Sequence, residues 1–335
     1  MNLEYYSSAA LVTSVVIYLL AMTAHAAEWA AARRTPATAE PAELAAEAVE
    51  TRKFAAVAAG SPKSGSATTA SGPVDREDTN QTRLADLKIE LWGRVGVALT
   101  VIGFGCSVVG VVLRGLAAGR PPWGNMYEFT ITAMVLVVAA YLVLVWRTGA
   151  RWLGLPVTLL AAVGNGLSVT VFYVAIAPLV PALHSVWFVI HIVAAAVSGA
   201  AFTIGGLMSA LFLARQRAER RGSVTGYLKR LPTARKLDLY AYRFLAFAFP
   251  LWTFTVAAGA IWAEYAWGRY WGWDPKETWA LVTWVVYACY LHARSTAGWR
   301  GTRAAVVALI GLASFWFNFV GINLLVSGLH SYAGI

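Results

Sequence analysis

Eight stretches of this chain, at about 8–28, 92–113, 127–146, 153–176, 185–213, 243–263, 278–295 and 304–327, are long and predominantly apolar. At about 1.5 Å of rise per residue, roughly 20 such residues cross a hydrocarbon layer about 30 Å thick. Backbone amides and carbonyls find no water there and must pair within the segment, which requires an α-helix. Composition agrees, with 59% hydrophobic and 13% charged residues, outside the usual range for a soluble domain. The expected fold is an all-α integral membrane protein of about eight transmembrane helices, embedded in a lipid bilayer.

The first stretch ends in Ala24-His25-Ala26, which imitates a secretory cleavage site. Its leading segment MNLEYYSSAA, however, contains Glu4 and no Lys or Arg, the wrong charge for a signal peptide. A retained helix over 1–30 is expected. Basic residues stay on the cytoplasmic side of short loops. Setting aside residues 31–90, fifteen of them, from Arg94 through Arg215, Arg217, Arg230 and Arg294 to Arg303, fall on one side, and only Arg114, Arg120, Arg269 and Lys276 fall on the other. This bias puts both termini and the 267–279 segment outside, in a multi-pass membrane protein. Together with anionic lipid headgroups, it also explains the net charge of +10 without nucleic acid.

Residues 31–90 are rich in Ala, Glu, Pro, Ser, Thr and Gly, with a low-complexity run AGSPKSGSATTASGP. They read as a cytoplasmic linker carrying a short Ala/Glu-rich helix near 39–58, ahead of a transmembrane core at 91–335. No internal repeat stands out.

Two cysteines, Cys106 and Cys289, each lie inside an apolar stretch without CxxC spacing and read as small buried hydrophobes. The five histidines say more. His330 follows the last stretch and His191 lies about two turns inside the external end of the fifth, with His184 seven residues earlier. His292 and His25 fall near the cytoplasmic interface. Ionisable groups at membrane depth are costly, so they point to function. Two layers of imidazole suit haem iron, which takes one histidine from each of two helices. A bare metal ion fits less well. The ligand-like pairs His25/Glu28 and Cys289/His292 each lack a third ligand nearby in sequence.

The segment WGRYWGWDPKETW, residues 267–279, concentrates Trp267, Tyr270, Trp271, Trp273 and Trp279 around Asp274-Pro275-Lys276-Glu277. An interfacial aromatic belt accounts for scattered tryptophans such as Trp92, Trp123 and Trp187, but not for this crowding. The aromatic surface offers a platform for a planar macrocycle, and Arg269 and Lys276 suit its carboxylates. Asp274 and Pro275 suit the N-cap and first position of the following helix.

The segment WGRYWGWDPKETWALVTW resembles the tryptophan-rich signature of the CcsA (ResC-like) family of cytochrome c biogenesis proteins, called CcsB in some bacteria. NMYEF at 125–129, LHSVWFVIHI and GLHSYAG are similar to further family segments, so the resemblance covers roughly 90–335. It implies export and presentation of haem b for attachment to the CxxCH motif of an apocytochrome c, as part of a cytochrome c synthase. Implied partners are a ResB-like membrane subunit and a thioredoxin-like thiol reductase. It also implies that His191 and His330 are axial ligands of external haem iron and that 267–279 holds the haem face. His292 would bind intramembrane haem, with Asn125, Tyr127 and Glu128 as further site residues. The ligand opposing His292 is implied to come from the partner subunit; His25, at a similar depth in this chain, is the alternative read from its position, and His184 is a polar neighbour. Two other readings fit less of the sequence: a di-haem cytochrome b-like electron-transfer subunit, and a transporter with an aromatic gate.

Overall fold

The computed structural model describes residues 2–33 and 73–330. The expected helix near 39–58 lies outside the described residues. Among the described residues every regular element is helical, and the long helices are α1 (Leu3–Arg33), α2 (Pro73–Ala118), α3 (Met126–Thr148), α4 (Gly154–Thr170), α5 (Val186–Arg220), α6 (Ala234–Trp267), α7 (Pro275–Ser295) and α8 (Thr302–Trp316). A π-helical turn Phe317–Gly321 and a last turn Ile322–Leu325 continue α8.

Each apolar stretch became a helix, and seven of the described helices are long and apolar enough to cross a membrane. The one left out of that number is α7, whose tryptophans, tyrosines, histidine and terminal charges lower its mean hydropathy. Two boundaries differ from expectation. Helix α2 starts at Pro73, so the far end of the expected linker is helical. Helix α4 stops at Thr170 rather than near 176. β-Branched and aromatic residues Val171–Val174 and the downstream Pro178 and Pro181 favour extended chain over another helical turn.

Two sets of helices build the bundle. In one, α1 lies along α2 and α4, and α4 packs on α3. In the other, α5 lies along α6, and α8 packs on α5 and α7. Tyr18, Val137, Tyr141, Val157, Ile204 and Met208 form a core joining α1, α3, α4 and α5. Phe202, Leu245, Trp252, Tyr287 and Ala308 form the second, from α5 to α8.

The α1/α2 seam carries a periodicity that the sequence reading missed. Leu11, Tyr18 and His25 stand seven residues apart and sit on Gly110, Gly103 and Gly96, also seven apart, where a Cβ would come within 2.6–2.9 Å of each side chain. This is heptad packing of an antiparallel pair, large residues on one helix against glycine on the other. The glycines are dispersed in an apolar run, so only the register between helices exposes the pattern.

Loops 119–125, 171–185, 268–274 and 326–330 meet at one end of the bundle, joined by contacts such as Trp262 to Ala182 and Asp274 to Leu329. The opposite end carries Arg230–Glu28 and Arg294–Asp238.

Candidate functional site

A cavity runs between α3, α5, α6, α7 and the turns after α8, bounded by His330, Tyr270 and Trp271 and, along α5, by His191, Gly199 and Thr203. His191 to Thr203 spans roughly 18 Å of helix at 1.5 Å per residue. Its walls are mostly apolar, with Lys276, Glu277 and Asn323 among the polar groups.

Both expected axial histidines line it. His191 projects from α5, whose start is capped by the Ser185 hydroxyl accepting from Trp187 N. Its Nδ1–H donates to the Thr255 carbonyl at 2.9 Å. A carbonyl only accepts, so Nδ1 carries the proton and Nε2 keeps its lone pair. The site is cut to this ring: a Cβ on Gly259 would lie 2.8 Å from it. His330 Nδ1–H donates to Asp274 Oδ2 at 2.8 Å, which leaves its Nε2 in the same state.

Asp274 is the hub of this end. It is the N-cap of α7, with Pro275 at the first helical position, as its sequence context indicates. Its carboxylate also accepts from Lys276 N at 3.2 Å, from Leu329 N at 2.7 Å and from His330. Burial alone would raise its pKa, but the His330 and backbone hydrogen bonds prevail and hold the carboxyl below the usual carboxylate range. Glu277, which had no assigned part, completes a capping box and accepts from Gly272 N and Asp274 N at 2.9 and 3.0 Å.

The aromatic segment does not form one platform. Tyr270 and Trp271 reach the cavity. Trp267 stands edge-on to His330 at 4.8 Å, Trp279 lies against Phe317 at 4.4 Å, and Trp273 is 68% exposed. The turn that separates them is strained: Trp273, at φ 59°, is the one non-glycine residue with positive φ among the described residues. The largest aromatic contribution comes from Trp262, which the sequence reading passed over. It is 2% exposed, donates its indole N–H to Ala182 O at 2.8 Å, and lies 5.7 Å from His191 and 5.4 Å from His330, ring centre to ring centre. One indole thus abuts both imidazoles. Its place inside an ordinary apolar helix concealed it.

Several expected site residues stand elsewhere. Arg269 pairs with Glu277 at 3.4 Å, and Lys276 Nζ donates to Asn323 Oδ1 at 2.8 Å while facing the cavity, so only Lys276 is directed at its contents. Asn125 caps α3 by accepting from Glu128 N. Glu128 is fully buried and bonds Arg114 at 2.9 Å and Arg120 at 2.7 Å. Arg114, also fully buried, lies over the Tyr127 ring and reaches Glu4 and the Val174 carbonyl. The NMYEF segment is thereby a clamp on α1, α2 and the 171–180 chain. Met126 and Phe129 line the cavity, not Asn125, Tyr127 or Glu128.

His25 and His292 are not brought together. His25 is fully buried, seated on Gly96 and Gly154 with Glu28 at 3.7 Å. His292 is exposed on α7, which packs on α6 and α8. The ring nitrogen of His184 meets the Leu179 carbonyl at 3.3 Å.

Residues 123–330, which hold the cavity and both histidines, match the family model described as cytochrome C assembly protein. The chain is 35% identical over 297 residues to a cytochrome c biogenesis protein CcsA of Picosynechococcus sp., covering 72% of this chain and 87% of that one. It is 37% identical over 228 residues to the CcsA of Chlamydomonas reinhardtii, covering 66% and 64%. To the CcsA of Guillardia theta it is 35% identical over 260 residues, covering 71% and 85%. The chain belongs to the cytochrome c assembly protein family, as a multi-pass all-α membrane protein of the CcsA type.

Proposed function

We propose that this chain binds haem b as its cargo at the cavity mouth and presents it for covalent attachment to the CxxCH motif of an apocytochrome c. The observation that carries the reading is the pair His191 and His330. Each has Nδ1 occupied by a protein acceptor and Nε2 left as a lone pair, beside one shared indole. The apolar wall and Lys276 suit a flat ring with carboxylates at its edge.

Haem b supplies two vinyl groups; each cysteine thiol adds across one, its sulfur bonding carbon while the proton completes the neighbouring carbon. The reaction consumes reduced cysteines, and this chain offers only the two separated thiols Cys106 and Cys289. A separate thioredoxin-like reductase and a ResB-like membrane subunit complete the scheme. His292, exposed on α7, meets incoming haem together with a ligand from that subunit, in a bacterial cytoplasmic membrane with the cavity mouth outside. The second histidine pair needed by a di-haem electron carrier has no support, because His25 and His292 sit apart.

The test is complementation. Cells lacking this protein, supplied with the chain and a ResB-like partner, regain haem-stained c-type cytochromes. His191→Ala or His330→Ala variants, present in the membrane at equal amount, do not. Normal cytochrome c assembly with both variants would refute the reading.

A further inference from the structure

The two imidazoles have unequal backing. His330 donates to an ionised, 95% buried carboxylate, Asp274, whereas His191 donates to a neutral carbonyl, Thr255 O, inside helix α6. A carboxylate behind an imidazole makes the other nitrogen a stronger donor, and a charge-assisted bond is about twice as strong as a neutral one. The tethers differ as well. Asp274 also holds the backbone of the His330 turn through Leu329 N at 2.7 Å, and the chain passes close enough that a Cβ on Gly328 would lie 2.6 Å from Asp274 Oδ1. Among the described residues His191 has a single ring hydrogen bond, to a carbonyl of a neighbouring helix, and no second tether of its own turn like the one Asp274 makes to Leu329 N.

We propose that His330 is the retained iron ligand and that His191 yields its place to the incoming histidine of the apocytochrome, with Asp274 as the positioning residue that sets this order. The assignment rests on the haem reading given above. It makes the α5 side of the haem the face on which the exchange occurs.

The experiment uses the full chain purified with haem and free imidazole as the probe ligand. His191→Gly is expected to retain haem and to regain a six-coordinate low-spin spectrum on adding imidazole, while His330→Gly retains about tenfold less haem at equal protein. Asp274→Asn, which keeps an oxygen acceptor at the cap, is expected to raise the reduction potential of the bound haem. It is expected to weaken haem retention about tenfold in the His191→Gly background and little in the His330→Gly background. A structural effect alone would lower both backgrounds alike and leave the potential unchanged, which would overturn the role of Asp274. Equal or reversed behaviour of the two glycine variants would overturn the order of exchange. If neither histidine variant alters the haem spectrum, the haem reading fails first and this assignment with it.

Discussion

Asp274 accepts a hydrogen bond from His330 at 2.8 Å across 56 residues of sequence, and in the same place caps α7. The aromatic segment and the C-terminal histidine are therefore one unit. The acidic residue inside the tryptophan-rich segment orients His330, against whose ring Trp267 stands edge-on. Four expectations follow from this arrangement and its supports, and a fifth tests its centre.

Gly259→Ala puts a methyl group 2.8 Å from the His191 ring. Ala gains about 1 kcal/mol of helix propensity over Gly, and overpacking costs about 1–3 kcal/mol, so stability changes little. The ring has to move. The haem spectrum is expected to shift from that of two histidine ligands while the thermal midpoint stays near that of the parent, as read by absorption and melting of one sample.

Trp262 and Trp273 are expected to behave in opposite ways. Trp262→Ala empties a buried site between two imidazoles and costs about 3–5 kcal/mol, with loss of bound haem. Trp273→Gly relieves the positive φ of a mostly exposed residue and stabilises by up to about 1 kcal/mol. Denaturation in detergent, monitored with haem content, separates them.

Glu128→Gln leaves the buried Arg114 guanidinium short of a counter-charge, and breaking such a pair costs about 3–5 kcal/mol. The clamp lies beside the cavity, not on it. Protein that survives purification is expected to keep the parent haem spectrum, whereas a changed iron ligation would return Glu128 to the site.

His25→Ala removes a side chain seated on Gly96 and Gly154 and is expected to cost about 2–4 kcal/mol as a cavity change. His25→Phe keeps a flat ring in the site while removing both nitrogens. If His25 serves packing, the Phe variant assembles cytochrome c like the parent; a loss equal to that of His292→Ala would make it a ligand.

The sequence carried the helices because apolar length is a one-dimensional signal, and all eight stretches became helices. It also carried the Asp274 cap, which belongs to a local segment, and it singled out His191 and His330, which line one cavity. Contacts between distant segments were not legible. The heptad register of Leu11, Tyr18 and His25 on glycine, the contact of Trp262 with both imidazoles, stacked on His191 and edge-on to His330, and the burial of Glu128 against Arg114 each depend on which helices face one another. Depth along a helix misled for His25 and His292: a similar height in the bilayer does not put two residues on facing helices. Charge misled for Arg269, because Glu277, eight residues on, folds back to meet it.

The central claim is that His191 and His330 together ligate haem iron. The direct measurement is the absorption spectrum of the purified full chain, oxidised and reduced, for the parent and for His191→Ala and His330→Ala. The account predicts a low-spin bis-histidine spectrum in the parent and its loss in both variants, with His25→Phe unchanged. An unaltered bis-histidine spectrum in both the His191 and His330 variants would contradict it.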